Sequence, residues 1–143
     1  MGRSAETTYR IMSAIKSKDT YPEKALGKEL WKLGLRYRKQ YKTTGRPDFV
    51  FVKAKIAVFC DGDFWHGNNW KIRGKKSFEE ELRDYSDFWR QKILKNIERD
   101  KKVNKKLKGE GWVVVRFFES TIKKSARSCA KKIYTIYSKK ILS

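Results

Sequence analysis

Hydrophobic and polar positions in the first third of the chain predict one helix and one strand. Leucines recur at helical spacing behind the capping-box pattern Thr20-x-x-Glu23, and Gly34 is a natural helix end. A helix is therefore predicted over residues 21–33. Apolar and basic residues then alternate over residues 35–41, and this alternation predicts a strand.

Two short apolar runs follow, and a basic turn separates them. Residues 48–52 and 56–60 are almost wholly apolar, and residues 53–55 lie between them. This pattern predicts a hairpin of two buried strands. The next segment, residues 61–85, is rich in glycine, asparagine and charged side chains, so it is predicted to be irregular.

The second half of the chain predicts a helix, a strand and a last helix. An apolar stripe over residues 87–108 indicates a long amphipathic helix that ends at the glycines of residues 109–111. Residues 112–118 are the clearest strand pattern in the chain. Apolar positions from Ile122 to Tyr137 then predict a single helix with a basic outer face.

The predicted order of elements is αβββαβα. Short antiparallel strands followed by a crossover helix and another strand make an α/β domain with a mixed sheet flanked by helices. A chain of 143 residues has room for one domain. We place that domain at residues 20–143, behind a basic N-terminal arm at residues 1–19.

Charge narrows the class of partner. The chain has 36 lysines and arginines against 16 aspartates and glutamates, a formal net charge of +20. Such a charge predicts a polyanionic partner, with nucleic acid as the first candidate and an acidic membrane surface as the second. No apolar run reaches the length of a membrane span and no secretory signal is visible, so we expect a cytoplasmic, reducing setting. Two cysteines and one histidine exclude a disulfide framework and any site that needs two imidazoles.

Two carboxylates flank the predicted hairpin. Asp48 opens one strand and Asp61 follows the other, so antiparallel pairing should bring both to the same edge of the sheet. Ionised carboxylates close together at an apolar edge cost free energy unless a cation neutralises them. Mg²⁺ is such a cation, and it prefers oxygen ligands. Asp48 and Asp61 are therefore candidate metal ligands, and solvated turn residues are the alternative interpretation.

His66 is the only histidine and lies in the irregular segment. It is either a surface-loop residue or a general base that activates water for attack on a phosphate. Asp100 falls on the apolar face of the predicted long helix. It is a candidate to orient the His66 ring, or else it pairs with a lysine at the rim of that face. Glu23 is explained by helix capping alone, and a chemical role for it stays open at this point.

Three large aromatic residues, Phe64, Trp65 and Trp89, lie in or beside the irregular segment. Core packing is the usual role of such residues. Because Phe64 and Trp65 directly follow an Asp-Gly-Asp turn, they are also candidates to stack on bases or to wedge between base steps.

Five motifs occur in the order that is typical of one known family. Over about residues 12–120 the chain resembles the very-short-patch-repair (Vsr) DNA mismatch endonucleases and the related Vsr-like nucleases. The matching motifs are Met12-Ser13-x-Ile15-x-x-Lys18-Asp19-Thr20-x-Pro22-Glu23, Gly45-Arg46-Pro47-Asp48-Phe49-Val50, Gly62-Asp63-Phe64-Trp65-His66-Gly67, Phe88-Trp89-x-x-Lys92-Ile93-x-x-Asn96-Ile97-x-Arg99-Asp100, and Gly111-Trp112-x-Val114-x-Arg116-x-x-Glu119.

The resemblance implies both a fold and an activity. The fold is a restriction-endonuclease-like core of the PD-(D/E)xK type, which agrees with the predicted order of elements. The activity is an endodeoxyribonuclease that uses one or two Mg²⁺ ions to nick one strand of double-stranded DNA. Repair members of the family cut 5′ to the T of a T:G mismatch. One small basic domain fits a monomer that nicks.

By position, the resemblance also implies roles for individual residues. Asp48 matches the shared metal ligand, and the backbone carbonyl of Cys60 would be another ligand. His66 matches the general base, with Asp100 hydrogen-bonded to it. Glu23 matches the acidic residue that supports the metal-bound water shell.

The resemblance places further residues on the DNA. Phe64, Trp65 and Trp89 match the aromatic wedge that opens the mismatched step. The other DNA-binding residues assigned from the matched motifs are Lys18, Arg46 and Asn96.

Two departures from the family pattern matter. Repair members hold a structural zinc with three cysteines and one histidine, whereas the corresponding positions are Asp63, Asn68, Trp70 and Ser120, so no zinc is expected. Asp61 stands where repair members usually have a phosphate-contacting histidine. This exchange keeps a site-specific homing or restriction-type endonuclease open as an alternative. A catalytically silent DNA-binding protein has less support, because the catalytic set is complete.

Overall fold

The chain folds around a three-stranded sheet with helices on both faces. The structure, a computed structural model, describes residues 20–142. The predicted arm, residues 1–19, and Lys18 within it therefore lie outside the described residues. The elements are α1 (Tyr21–Lys32), β1 (Phe49–Phe51), β2 (Ile56–Asp61), α2 (Asn69–Ile72), α3 (Phe78–Arg83), α4 (Asp87–Gly109), β3 (Val113–Phe118), α5 (Glu119–Lys124) and α6 (Ala126–Leu142). None of the helices in this described range is long and apolar enough to cross a membrane.

The strand order in the sheet is β1-β2-β3, with β2 as the buried central strand. β1 runs antiparallel to β2, with Phe49 opposite Val58. β2 runs parallel to β3, with Asp61 opposite Phe118. A parallel pair needs a long crossover connection, and the segment from α2 to α4 provides it. The prediction of a mixed sheet flanked by helices is confirmed.

Alternate residues of β2 face two different cores, as the period of a strand requires. Ile56 and Val58 pack with buried residues of α1, α5 and α6 on one face of the sheet. Ala57 and Phe59 pack against Leu107 of α4 on the other face. The C-terminal end of β2 therefore lies between α1 and α4, within reach of side chains from both helices.

The prediction of a strand at residues 35–41 is wrong. The predicted order αβββαβα is therefore wrong as well, because two strands and not three precede the long helix in the described part of the chain. Only Arg38 pairs with the sheet, through two backbone hydrogen bonds of 2.9 Å to Val50. Gln40 has a φ of 55°, in the left-handed region, which turns the chain out of the extended conformation. The alternating pattern thus belongs to a segment that touches the sheet at one point.

Two other predictions of local structure are also wrong. Residues 61–85 are not wholly irregular, because α2 and α3 lie within them. Ser77 begins α3 by accepting a hydrogen bond from the backbone N of Glu80 at 3.1 Å. The last helix is broken at Ser125, which is extended and accepts from the backbone N of Ser128 at 3.2 Å. A serine cap in the middle of an apolar stripe starts a new helix, although the stripe itself continues.

Candidate active site

A polar cleft opens at the C-terminal end of β2. It lies between the first turn of α1, the segment before β1, the loop after β2 and one face of α4. An adjoining cleft contains Asp61 and Asp100 and shares Asp48 and His66 with the first. The sheet therefore brings Asp48 and Asp61 to the same end, as the sequence predicts. The sequence-predicted residues that line the first cleft are Glu23, Asp48, Cys60, Trp65, His66 and Asn96.

Glu23 and Asp48, which we call the carboxyl pair, are hydrogen-bonded to each other through their side chains. Asp48 Oδ2 also accepts from the backbone N of Cys60 at 2.6 Å, and Lys39 Nζ donates to Glu23. Burial, followed by the hydrogen bond to Glu23, raises the pKa of Asp48 to about 8, and the Cys60 N–H opposes the rise. Asp48 therefore carries a proton at neutral pH, which it donates in the hydrogen bond to Glu23.

Glu23 reaches this pair from the first turn of α1. The predicted capping box is wrong in its first half, because the Thr20 side chain makes no capping hydrogen bond. Only the backbone oxygen of Thr20 accepts, from the N of Lys24 at 2.9 Å. Glu23 is 5% exposed and faces Asp48 and Lys39. Sequence reasoning missed Lys39, since no local pattern connects it with a glutamate 16 positions earlier.

The carboxyl pair has the donor chemistry of a site for a hard divalent cation. Mg²⁺ takes carboxylate and carbonyl oxygens, and the pair presents carboxylate oxygens in the same cleft as Cys60. A cation beside the two carboxyl groups would replace the proton on Asp48 and compensate the burial of negative charge. These residues therefore fit the metal that the family resemblance implies.

Asp61, His66, Asp100 and Arg116 form a second polar group, which we call the histidine group. Because a carboxylate only accepts hydrogen bonds, the Nδ1–H of His66 donates to Asp100 Oδ2. The Nε2 of His66 lies 3.8 Å from Asp61 Oδ1. The structure thus brings together the two residues that the sequence paired, and Nε2 is the ring nitrogen that can take a proton from water.

Arg116 links the two carboxylates of the histidine group, and sequence reasoning missed this role. Its Nη1 lies 3.0 and 3.2 Å from the two carboxylate oxygens of Asp61 and 3.4 Å from Asp100 Oδ1. Its Nε donates to Asn104 Oδ1 at 2.7 Å, and its Cζ lies 4.0 Å from the centroid of the Phe59 ring. The available signal was a single arginine inside an otherwise apolar strand pattern.

This ion pair changes the interpretation of Asp61. Asp61, His66 and Asp100 offer ligand atoms that all lie within 4.8 Å of one another, which is close enough for a metal site. The Arg116 guanidinium, however, already contacts both carboxylates. Burial raises the pKa of Asp61, while the charges of His66 and Arg116 oppose the rise. A role for Asp61 as a metal ligand therefore competes with an existing ion pair.

The aromatic candidates form one cluster beside the cleft. The ring centroid of Phe64 lies 4.8 Å from that of Trp65 and 5.6 Å from that of Trp89. Trp65 is only 6% exposed, and its backbone oxygen accepts from Asn96 Nδ2 at 3.2 Å. Phe64 and Trp89 are half-buried. Packing is thus the visible role of Trp65, whereas parts of Phe64 and Trp89 face solvent.

Basic residues lie at the rim of the cleft. Arg46 is exposed and lines the side that contains the histidine group. Arg99, which the sequence analysis did not single out, is exposed, lines both sides and donates to Asn96 Oδ1 at 3.2 Å. Asn96 therefore holds a backbone group of the aromatic cluster and an arginine at the rim at the same time.

The positions that the resemblance matches to zinc ligands hold hydrogen-bonding and aromatic side chains. Asp63 accepts hydrogen bonds from Asn68 and from Ser120, and Trp70 lies on α2. These contacts connect the loop after β2 with the start of α5.

Comparison with known proteins defines the class. The family described as DNA mismatch endonuclease Vsr matches residues 4–72. The chain is 46% identical over 129 residues to the type II nicking enzyme V.NmeDIP of Neisseria meningitidis serogroup C, covering 90% of this chain and 84% of that protein. It is 44% identical over 124 residues to the type II nicking enzyme V.HpaIIP of Haemophilus parainfluenzae, covering 86% and 84%.

A further relative is the DNA mismatch endonuclease Vsr of Escherichia coli K12, which is 33% identical over 121 residues, with 82% of this chain and 72% of that protein covered. These relatives show that the protein is an endodeoxyribonuclease. The chain belongs to the Vsr family of DNA endonucleases. The family implies a restriction-endonuclease-like fold, and the mixed sheet flanked by helices agrees with it.

Proposed function

We propose that the protein is a Mg²⁺-dependent DNA endonuclease that nicks one strand of a duplex 5′ to the T of a T:G mismatch. One observation carries the proposal: a histidine held by Asp100 stands in the same cleft as a carboxyl pair of which Glu23 is buried and Asp48 half-buried. The first group suits a base for water, and the second suits a cation beside the phosphate. The relative from Escherichia coli, which is named a DNA mismatch endonuclease, supports the choice of substrate.

The residues of this chain divide the chemistry between them. The His66 Nε2 takes the proton of the attacking water, and Asp100 keeps the ring in the tautomer that leaves Nε2 free to do so. Asp48 and the backbone carbonyl of Cys60 would hold the cation, and Glu23 would support its shell of bound water. A bound Mg²⁺ supplies Lewis-acid stabilisation of the charge that develops on the phosphate oxygens.

The surface around the cleft supplies the contacts to DNA. Arg46 and Arg99 lie at its rim and suit phosphate contacts, so binding should weaken steeply as salt increases. Asn96 ties Arg99 to the aromatic cluster, whose half-buried members Phe64 and Trp89 suit stacking on an opened base step. Since one chain supplies the whole candidate site, a monomer that cuts one strand fits this arrangement.

A nicking assay on two labelled duplexes tests the proposal. The duplexes are identical except that one carries a single T:G mismatch in a methylated-cytosine context, and Mg²⁺ is the only divalent cation. We expect a nick 5′ to the T in the mismatched duplex alone, with no product in EDTA. A His66→Ala protein is the control for contaminating nuclease. Absence of cutting on both duplexes, and on random-sequence DNA, would contradict the assignment as a nuclease.

A second candidate function is site-specific nicking of an intact duplex. The relatives at 46% and 44% identity are named type II nicking enzymes, which favours a defined sequence as the target. Asp61, paired with Arg116, also gives this part of the site a different charge from the histidine that repair members carry. Equal cutting of the matched and mismatched duplexes at one sequence would select this candidate.

A further inference from the structure

We infer that Asp63 is a positioning residue. It fixes the position of His66 relative to the start of α5, which lines the same cleft, and thereby sets the rate of DNA cleavage. Asp63 lies in the loop after β2, outside the reacting atoms. The inference rests on the proposed function, because its main readout is the nicking rate. Its evidence is a set of hydrogen bonds that we call the Asp63 clamp.

The clamp joins two segments that are 57 residues apart in the chain. Asp63 Oδ1 accepts from Asn68 Nδ2 at 2.8 Å and from Ser120 Oγ at 2.6 Å. Asp63 Oδ2 accepts from the backbone N of Ser120 at 3.0 Å. The backbone oxygen of Asp63 also accepts from the N of Asn68 at 2.8 Å, so both ends of the loop are tied together.

The clamp lies directly behind the catalytic loop. His66 is inside the segment that the Asp63–Asn68 contacts close, and its backbone N–H donates to the oxygen of Gly62 at 3.1 Å. On the other side, Ser120 follows Glu119, which lines the cleft together with His66. A displacement of the clamp would therefore move the base relative to the opposite wall of the cleft.

Trp65 packs into the aromatic cluster, but hydrogen bonds rather than apolar packing hold the end of this loop at Asn68 and the start of α2. The helix that follows Asn68, α2, has no buried residue. Asn68 itself is only 7% exposed, so its amide needs a partner inside the protein. Asp63 provides that partner, and hydrogen bonds to an ionised carboxylate are stronger than those between neutral groups.

The arrangement favours a carboxylate at position 63, because the amide of Asn68 and both the backbone N–H and the hydroxyl of Ser120 donate to it. In an Asp63→Asn protein the new NH₂ would conflict with the NH₂ of Asn68 unless the Asn68 amide turned over, and the bonds to Asn68 and Ser120 would no longer be charge-assisted. Adding Asn68→Asp would remove the conflict. The amide oxygen at position 63 would then accept from Ser120, and its NH₂ would donate to the new carboxylate at position 68.

The test is a single-turnover nicking assay at saturating DNA and Mg²⁺. We expect Asp63→Asn to lower the maximal rate by about 10–100-fold while the Kd for DNA changes by less than about twofold. The Asp63→Asn/Asn68→Asp protein should regain most of the rate. Asp87→Asn is the matched control, since its side chain is 85% exposed and contacts Arg90 at the start of α4. That protein should nick at the wild-type rate.

Three outcomes would overturn the inference. They are a folded Asp63→Asn protein with the wild-type rate, a loss of rate that the second substitution does not reverse, and an equal loss in Asp87→Asn. If Asp63→Asn does not fold, Ser120→Ala removes only the Oγ contact, and an unchanged rate in that protein overturns the inference instead.

Amide hydrogen exchange separates a failure of the clamp from a failure of the proposed function. The backbone N–H of Ser120 should exchange faster in Asp63→Asn and regain protection in the double variant. If the wild-type protein nicks no duplex, the proposed function fails, whereas restored protection still supports the clamp. Protection that does not change in Asp63→Asn would overturn the clamp whether or not the wild-type protein nicks.

Discussion

The carboxyl pair and the histidine group lie at the same end of β2 and each contains two carboxyl groups and one basic side chain, but the basic side chains are placed differently. Lys39 contacts Glu23, and burial together with the hydrogen bond to Glu23 raises the pKa of Asp48 to about 8. Asp61 and Asp100 are also close together, but Arg116 contacts both of them.

The position of one guanidinium decides what each group can do. In the histidine group the positive charge is built in, so Asp100 can orient His66 without a metal ion. In the carboxyl pair Lys39 contacts Glu23, yet burial still raises the pKa of Asp48, so an ionised Asp48 would gain from a divalent cation. The comparison therefore supports the proposal that the carboxyl pair holds the cation and that the histidine group supplies the base.

The largest expected effect comes from removing the base. His66→Ala should lower the nicking rate by about 10²–10⁴-fold, because general-base catalysis contributes on that scale. The Kd for DNA should stay nearly unchanged, since His66 is one side chain among many basic contacts. Single-turnover kinetics and fluorescence anisotropy measure the two quantities. Cleavage at the wild-type rate would remove His66 from the mechanism.

Asp48→Asn tests the other half of the comparison. The substitution keeps the shape of the side chain and removes the charge that a cation needs, so activity should fall by about 100-fold or more. A Mg²⁺ titration of the nicking rate should shift to much higher concentration. A titration curve that matches the wild-type curve would place the cation elsewhere.

Arg116→Ala should remove the positive charge that contacts both carboxylates of the histidine group. We expect a loss of nicking rate of about 10-fold to 100-fold, because Asp61 and Asp100 lose the contact that holds them around His66. Calorimetric titration with Mn²⁺ should reveal an additional site that the wild-type protein lacks. If the number of Mn²⁺ sites stays the same, Arg116 is not acting in place of a cation.

The smallest expected effect is on stability without divalent cations. Between pH 3.8, the ordinary pKa of this carboxyl, and about pH 8 the folded protein retains a proton that the unfolded chain releases, so stability falls as pH rises. Asp48→Asn removes this decrease in stability with pH, because an amide does not titrate. The amide can still donate to Glu23 and accept from the backbone N of Cys60. Its Tm should exceed that of the wild type by about 5 °C at pH 8 and match it near pH 4.

Asp61→Asn is the matched control for this melting experiment. Burial also raises the pKa of Asp61, but the substitution removes one of the two carboxylates that Arg116 Nη1 contacts, so its Tm at pH 8 should decrease. Thermal melts in EDTA across the same pH range measure both proteins. If the Tm changes in the same direction in both proteins, the carboxyl pair and the histidine group do not differ in how their carboxyl groups are compensated.

Much of the fold could be predicted because its signals are local. The apolar stripes of α1 and α4 and the two apolar runs of the hairpin lie close to the observed helices and strands. The strand predicted at 35–41 failed because alternation does not reveal that Gln40 adopts a positive φ. Ser125 breaks the last helix through a backbone conformation that the apolar stripe does not encode.

The candidate site could be predicted only where topology places residues together. Antiparallel pairing was enough to bring Asp48 and Asp61 to one edge, and helical spacing was enough to put Asp100 on an inward face. The partners Lys39 and Arg116 could not be found in this way. Their ion pairs connect segments that are 16 and 55 positions apart, and a basic side chain carries no sign of which carboxylate it meets.

Helix α4 contributes one polar side chain to the site on each of three successive turns. Asn96 reaches the aromatic cluster, Asp100 reaches His66, and Asn104 reaches Arg116. Steps of four residues keep these side chains on one face of the helix. Because each residue rotates the helix by about 100°, inserting or deleting a single residue between Asn96 and Asn104 would turn at least one of them away. Related enzymes should therefore vary in sequence on the outer face of this helix while conserving the number of residues along it.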